Sequence, residues 1–423
     1  MLLLGEAHIG IVLSRRTDVQ IRCLGRKRPS MSRLDRCLNI ADLREAARRR
    51  LPWGLFDYVD RGSDDELALH ENRLAFDSIK LRTKVMVPLD RASLGTTLFG
   101  KQTNMPYIIS PTGIAGLCCY QGELQLAKAA AARGIPLAMA TGSVTPMEQL
   151  AEEAGGRLWF QLYMSGEREL NYGVARRAHR AGFEALVVTV DSGFNPGGTR
   201  ENWKRTGFDK PFELSPRTML DLACHPGWLS RVILRYARTS GFPRHVNYPE
   251  GFQESVLAGK EKRKAKRVLD QTWDDIARLR DTWPGTLIVK GILRAEDAVQ
   301  AVDHGADGIV VSNHGGRCMD TAVASINALP DVAAAVGHRT TVLLDGGVRR
   351  GADIVKALAL GAKAVMSGRS TLYGVAAAGQ MGAEHALKLI ENEYRLTMGY
   401  VGCRTPDEVT ADVIAHRPRM MPG

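Results

Sequence analysis

A chain of 423 residues, 44% hydrophobic and 24% charged, is long and apolar enough to bury a large core, which excludes a disordered chain as a whole. Its 57 Lys and Arg against 46 Asp and Glu leave a net charge of +11, favouring anionic partners such as small acids, phosphates or lipid headgroups. The basic residues are scattered, with no zinc-finger spacing or aromatic single-strand platform, so nucleic acid is not an expected partner. No run of about 18 apolar residues marks a transmembrane helix.

Residues 1–36 carry Arg15-Arg16 and Arg26-Lys27-Arg28 but lack the apolar core and cleavage site of a secretory leader, and are expected to be disordered. From Asn39 the pattern turns helical, so the folded unit is expected over 37–423, opening with a helical lead-in. Of seven cysteines only Cys118 and Cys119 lie close together, which gives neither a disulfide framework nor a C-x-x-C metal pattern. A reducing cytoplasm fits, and no resident metal is expected.

From about residue 105 one unit repeats: a short apolar run, a loop rich in functional residue types, and a helix-length amphipathic segment. The runs are Tyr107-Ile108-Ile109-Ser110, Leu137-Ala138-Met139-Ala140, Leu158-Trp159-Phe160-Gln161-Leu162, Ala185-Leu186-Val187-Val188-Thr189-Val190, Leu287-Ile288-Val289-Lys290, Gly308-Ile309-Val310-Val311, Val342-Leu343-Leu344-Asp345 and Ala364-Val365-Met366-Ser367. Strands without polar alternation are buried on both faces, as parallel strands under helices must be. Eight such units predict an α/β fold, a (β/α)8 TIM barrel, with a doubly wound sheet as the rival. Candidate polar residues follow nearly every strand, which suits a barrel whose loops converge on one mouth.

Roughly ninety residues separate the fourth strand from the fifth, a long insertion by the standard of ordinary connections. Its stretch over 209–270 contains an apolar segment around Cys224-His225-Pro226-Gly227-Trp228 and the basic run Lys260-Glu261-Lys262-Arg263-Lys264-Ala265-Lys266-Arg267. Two readings fit, a mobile lid with a solvated basic tail, or a peripheral membrane segment with positive flanks.

After the sixth strand come Ser312-Asn313-His314-Gly315-Gly316-Arg317-Cys318-Met319-Asp320, where two glycines let an imidazole and a guanidinium turn towards one ligand. A base beside a carboxylate clamp suits chemistry on a small acid. The seventh and eighth strands end in Asp345-Gly346-Gly347-Val348-Arg349-Arg350-Gly351 and Ser367-Gly368-Arg369, loops that commonly build a phosphate site in barrels. Lys290, at the end of an apolar strand, is expected to point into the mouth, towards an anion, as a Schiff-base nucleophile, or as a snorkelling structural lysine. Asp191 would orient His314 or merely cap a turn; Arg200 would add a guanidinium; Tyr58 and Tyr163 would offer hydroxyls or simply pack.

Together, Phe56-Asp57-Tyr58, Ser110-Pro111-Thr112-Gly113, Trp159-Phe160-Gln161-Leu162-Tyr163, Thr189-Val190-Asp191, Val289-Lys290-Gly291 and the two glycine-rich motifs resemble the FMN-dependent α-hydroxy-acid oxidases and dehydrogenases, especially the mandelate and lactate branch. The resemblance runs from about residue 38 to 410. It implies a TIM barrel carrying FMN, its phosphate on Gly347, Arg349, Gly368 and Arg369 with Asp345 nearby, and its ring lined by Pro111, Thr112, Gly113, Gln161 and Thr189. Lys290 would favour the reduced anionic ring. His314 would be the base, Asp191 its orienting carboxylate, Arg317 and Arg200 the carboxylate clamps, and Tyr58 and Tyr163 substrate contacts.

The implied reaction is oxidation of an L- or S-2-hydroxy acid to the 2-oxo acid, electrons passing through FMN to quinone or oxygen. Hydride and carbanion routes both remain open. The resemblance also implies a homotetramer, held to the inner face of the plasma membrane by the insertion. Alternatives are flavin-dependent oxidation of a modified amino acid or peptide precursor, and a non-redox barrel binding a phosphorylated ligand. The sequence departs from the family pattern at Ala140, at Cys318-Met319, and at Asn195-Pro196-Gly197-Gly198, which lengthens the Asp191 to Arg200 spacing by two residues.

Overall fold

A computed structural model of the chain describes residues 34–90, 92–192, 215–248, 252–253, 255–256 and 270–416. The expectations on residues 1–33, Arg200 with the 195–198 stretch, and the basic run over 260–267 lie outside these residues.

The lead-in begins where the sequence places it. Asn39 caps helix α1 (Ile40–Arg48), its side-chain oxygen accepting from the Asp42 N–H at 2.9 Å and satisfying a donor that the first helical turn leaves open. Helices α2 (Trp53–Asp60) and α3 (Leu67–Ser78) follow. α1 buries Ile40, Leu43 and Ala47 and packs on the C-terminal helix Arg369–Val401, which is bent at Ala378 and Gly379.

All eight apolar runs are strands of one closed parallel barrel: β1 (Tyr107–Ile109), β2 (Leu137–Ala140), β3 (Leu158–Leu162), β4 (Ala185–Thr189), β5 (Thr286–Ile292), β6 (Gly308–Ser312), β7 (Thr341–Asp345) and β8 (Ala364–Ser367). Each pairs with its neighbour in sequence, and β8 pairs with β1 to close the ring, which rules out the doubly wound sheet.

Alternation along each strand explains why the runs are apolar throughout. One parity points inward, and Ile108, Ala138, Trp159, Val187, Ile288, Val310 and Leu343 fill the barrel. The other parity, including Ile109, Phe160, Leu186, Val289 and Leu344, packs beneath the helices. Full burial of each Val, Leu, Ile or Phe among them contributes roughly 1.5–3 kcal/mol. A hairpin (Thr96–Leu98 with Lys101–Thr103) caps the floor; its Leu98 is fully buried, and Phe99 meets the Trp159 ring edge-on at 5.7 Å.

The insertion after β4 is described in part. Ser215 caps a helix over Pro216–Ala223, and a second helical stretch runs from Pro226 to Thr239 through a widened turn at Leu229–Ile233. Trp228 donates its indole N–H to the Leu117 carbonyl at 2.7 Å, and the Tyr236 hydroxyl accepts from the Gln121 N–H at 3.0 Å. This part of the insertion is therefore anchored on the loop after β1, beside the barrel mouth. No helix among the described residues is long and apolar enough to cross a membrane.

Candidate active site

Inward parity carries the chemistry. Two residues beyond the apolar layer, the same face of each strand presents Ser110, Ala140, Gln161, Thr189, Lys290, Ser312 and Asp345, so the C-terminal mouth is a polar ring on an apolar floor. Above it opens a cavity of about 1210 Å³, mouth included, walled by Pro111, Thr112 and Gly113 on one side and by Gly346, Gly347 and Arg349 on another.

Lys290 is the buried cation of that ring. Its Nζ lies 2.9 Å from Asp345 Oδ2 and donates to Ser312 Oγ at 3.0 Å, while Ser110 Oγ donates to Asp345 Oδ1 at 2.8 Å. Burial disfavours the ammonium, but the carboxylates of Asp345 and then Asp191 outweigh it and hold the lysine above its ordinary range. A Schiff-base nucleophile needs the opposite shift, so the geometry speaks against that reading of Lys290. Asp345 is correspondingly held low, against its burial, by Lys290 and Ser110.

His314 sits just past β6 in a left-handed turn, its φ of 59° followed by 66° and 73° at Gly315 and Gly316. The glycines are required there: a Cβ on Gly316 would lie 2.5 Å from the Leu69 backbone N, so the turn presses against α3. The imidazole is held at both ends, Nδ1 lying 2.8 Å from Asp191 Oδ1 and Nε2 3.2 Å from the Tyr163 hydroxyl. A proton on Nδ1 donated to Asp191 leaves the Nε2 lone pair to accept from the Tyr163 hydroxyl, and both side chains line the cavity. Burial lowers the imidazole's proton affinity, but Cys318, Asp191 and Tyr163 together raise its pKa well above the ordinary value. Asp191 is held low, its burial outweighed by His314 and Lys290.

Guanidiniums complete the wall. Arg317 stacks over the Tyr58 ring at 5.2 Å and donates to the carbonyls of Tyr58 at 2.8 Å and Arg61 at 3.1 Å. Arg369 donates to the carbonyls of Val59, Gly315 and Arg61 at 2.9–3.1 Å, tying α2 to the turn of His314. Burial, then the like charges of Arg317 and Arg349, push Arg369 down to about 9. Such crowding of positive charge is the electrostatics of an anion site. Gly368 caps the helix Arg369–Val401 without a side-chain bond and lines the same cavity, so a helix N-terminus faces it too.

Of the residues singled out in the sequence, Tyr58, Tyr163, Thr189, Lys290, His314 and Arg317 line this cavity together with the glycine-rich loops. Gln161 sits in the inward ring beneath, and Asp191 reaches the site through His314. Arg200 lies outside the described residues. Ser110 and Ser312, which the sequence offers only as members of longer motifs, and Tyr248, which it does not offer, also bear on the site. The two serines had a usable signal, strand-end position on the parity of Lys290 and Asp345. Tyr248 had none, since it comes from the irregular insertion.

A family model described as FMN-dependent dehydrogenase matches residues 47–416. The chain belongs to that family. It is 40% identical over 379 residues to an L-lactate dehydrogenase of Caulobacter sp. (strain K31), covering 89% of this chain and 98% of that one. It is 38% identical over 376 residues to an (S)-mandelate dehydrogenase of Pseudomonas putida, covering 89% and 93%. A crystal structure of the monotopic membrane protein (S)-mandelate dehydrogenase superposes with a TM-score of 0.83 at 37% identity, covering 90% of this chain and 99% of that chain.

Membership makes the protein a flavoenzyme with FMN as cofactor. The mouth fits that group. Both amide atoms of Gln161 and the hydroxyl of Thr189 are buried without a hydrogen-bond partner among the described residues, and a heteroatom-rich ring bound there would satisfy them. On the cavity wall Gly347 has φ 82°, and a Cβ there would stand 2.7 Å from the Asn72 carbonyl oxygen.

Proposed function

We propose that the enzyme oxidises a small (S)-2-hydroxy acid of the lactate or mandelate kind to the 2-oxo acid, with His314 as the base. The observation that carries this reading is His314 itself. Its imidazole is fixed between Asp191 and Tyr163 in a cavity that also holds Arg317, and this set of groups suits a substrate with an α-hydroxyl and a carboxylate.

Gly347, Gly368, Arg349 and Arg369 would hold the FMN phosphate, and Pro111, Thr112, Gly113, Gln161, Thr189 and Lys290 its ring, with Asp345 keeping Lys290 charged. Bound there, FMN supplies the acceptor for two electrons. The chain supplies the rest. Nε2 of His314 takes the substrate hydroxyl proton, and Asp191, 2.8 Å from Nδ1, stabilises the imidazolium that results. Arg317 receives the substrate carboxylate, with Arg200 as its proposed partner, and Tyr163 and Tyr58 donate to the hydroxyl oxygen and the carboxylate. Lys290, a buried cation paired with Asp345, would lend positive charge beside the bound cofactor.

The second element of the proposal is a membrane surface with quinone as acceptor. Met219, Leu220, Leu234 and Phe242 are exposed on the anchored insertion, as are Arg217, Arg231, Arg235 and Arg238. Exposed apolar side chains interspersed with arginines suit the headgroup region of an anionic bilayer. Anaerobic flavin bleaching across a panel of 2-hydroxy acids tests the reaction, and reoxidation by a soluble quinone against dissolved oxygen tests the acceptor. No bleaching with any member would overturn the assignment.

A further inference from the structure

Cys318 closes the turn that carries His314 and Arg317. One ligand atom each from Asp191, His314 and Cys318 lies within 4.8 Å of the other two. We propose that these three side chains form a site for a thiophilic divalent cation, Zn²⁺ foremost, whose occupation shuts the enzyme down.

Donor chemistry and geometry support this independently. A cysteine sulfur, an imidazole nitrogen and a carboxylate oxygen are each ordinary zinc donors, and a site with three protein ligands leaves a fourth position to water. Bond lengths of about 2.0–2.3 Å place tetrahedral ligands roughly 3.3–3.6 Å apart, so closing from 4.8 Å asks for about an ångström of side-chain movement. All three residues are partly buried, and Cys318 and His314 are only four residues apart on a turn fixed by α3 and Arg369. Asp191 also has an acceptor to spare, because its Oδ2 is buried without a hydrogen-bond partner among the described residues. A thiolate and a carboxylate together match a double positive charge. Magnesium and calcium, which prefer all-oxygen sets, fit poorly.

The cation binds with loss of the thiol proton and takes up the imidazole lone pair, with no change of oxidation state. The site itself stands on geometry. Its inhibitory consequence rests on the reading of His314 as the base, since an imidazole bound to metal cannot accept the substrate proton.

Holoenzyme titrated with Co²⁺ under argon tests the site, through thiolate-to-cobalt charge-transfer absorption after subtraction of the flavin spectrum. One equivalent per chain is expected, displaced by Zn²⁺ and untouched by excess Mg²⁺. Cys318→Ser should abolish the absorption and raise the Zn²⁺ concentration for half-inhibition by more than the ~10–100-fold that an outer-shell partner contributes. Cys224→Ser, at the exposed free cysteine, should leave both unchanged. Absence of the charge-transfer band, its loss in Cys224→Ser, or equal zinc inhibition of parent and Cys318→Ser would overturn the proposal. A Cys318-dependent band in an enzyme that no hydroxy acid reduces supports the metal site and sinks only the assigned reaction.

Discussion

Replacing Lys290 by methionine keeps the length and apolar stem of the side chain but removes the ammonium 2.9 Å from Asp345. Asp345 then retains the Ser110 hydroxyl and the influence of His314 but no ion-pair partner among the described residues, in a position that is 9% exposed. Stripping one partner from a buried pair typically costs about 3–5 kcal/mol. Protonation limits the loss: neutralising an aspartate of ordinary pKa near 3.9 costs about 4 kcal/mol at pH 7 and about 1.5 kcal/mol at pH 5, at 1.36 kcal/mol per unit. Lys290→Met should therefore destabilise the fold by about 3–4 kcal/mol at pH 7 and by about 1.5 kcal/mol at pH 5.

The sign follows from linkage. In the variant the folded-state pKa of Asp345 rises above the unfolded value, so stability falls as pH climbs between the two. In the parent Asp345 is held low, so its contribution is present over the whole of that window. Lys290→Met/Asp345→Asn removes the orphaned charge and should recover most of the loss. Urea melts of flavin-free chains at pH 5 and 7 measure all three, so that differences in flavin affinity do not enter. A single variant within 1 kcal/mol of the parent, a loss independent of pH, or a double variant no better than the single would refute the buried-pair account.

Asp191→Asn weakens a charge-assisted bond worth about 1.5–3 kcal/mol, so anaerobic flavin reduction should slow by roughly 10- to 150-fold with FMN still bound; a change under threefold would remove Asp191 from its positioning role. Gly347→Ala forces a Cβ to 2.7 Å from the Asn72 carbonyl oxygen at φ 82°, and the purified variant should retain far less flavin than the parent; stoichiometric FMN by absorbance would contradict this. Leu220→Glu with Phe242→Glu should cut flotation with anionic lipid vesicles by more than about 100-fold, each side chain contributing roughly 1.5–3 kcal/mol of apolar burial; undiminished flotation would move the membrane face elsewhere.

The barrel was legible because both faces of its strands are buried, so runs such as Val187-Val188 and Val310-Val311 carry no polar interruption until the mouth. Asn39 announced the lead-in through cap chemistry that needs no tertiary partner. His314, Lys290 and Arg369 could be picked out because charged groups at the ends of apolar strands have nowhere to point but the cavity. Long-range geometry was not legible. The side chain of Asn72 exchanges hydrogen bonds with Asn313 at 2.9 and 3.0 Å across 241 residues, fixing the turn of His314 from a helix that precedes the barrel. Nothing local to either asparagine signals that pairing. Nor does the sequence show that Trp228 and Tyr236 pin the insertion beside the mouth, because amphipathic helices bury such residues against any available surface.

Stopped-flow flavin reduction under argon, comparing the parent with His314→Gln on the two enantiomers of lactate and of mandelate, tests the central claim most directly. The account predicts bleaching by an S enantiomer and not by its mirror image. It also predicts that His314→Gln keeps FMN bound while reducing it about 10²–10⁴-fold more slowly, the loss typical of a missing general base. Equal rates for parent and variant would contradict it.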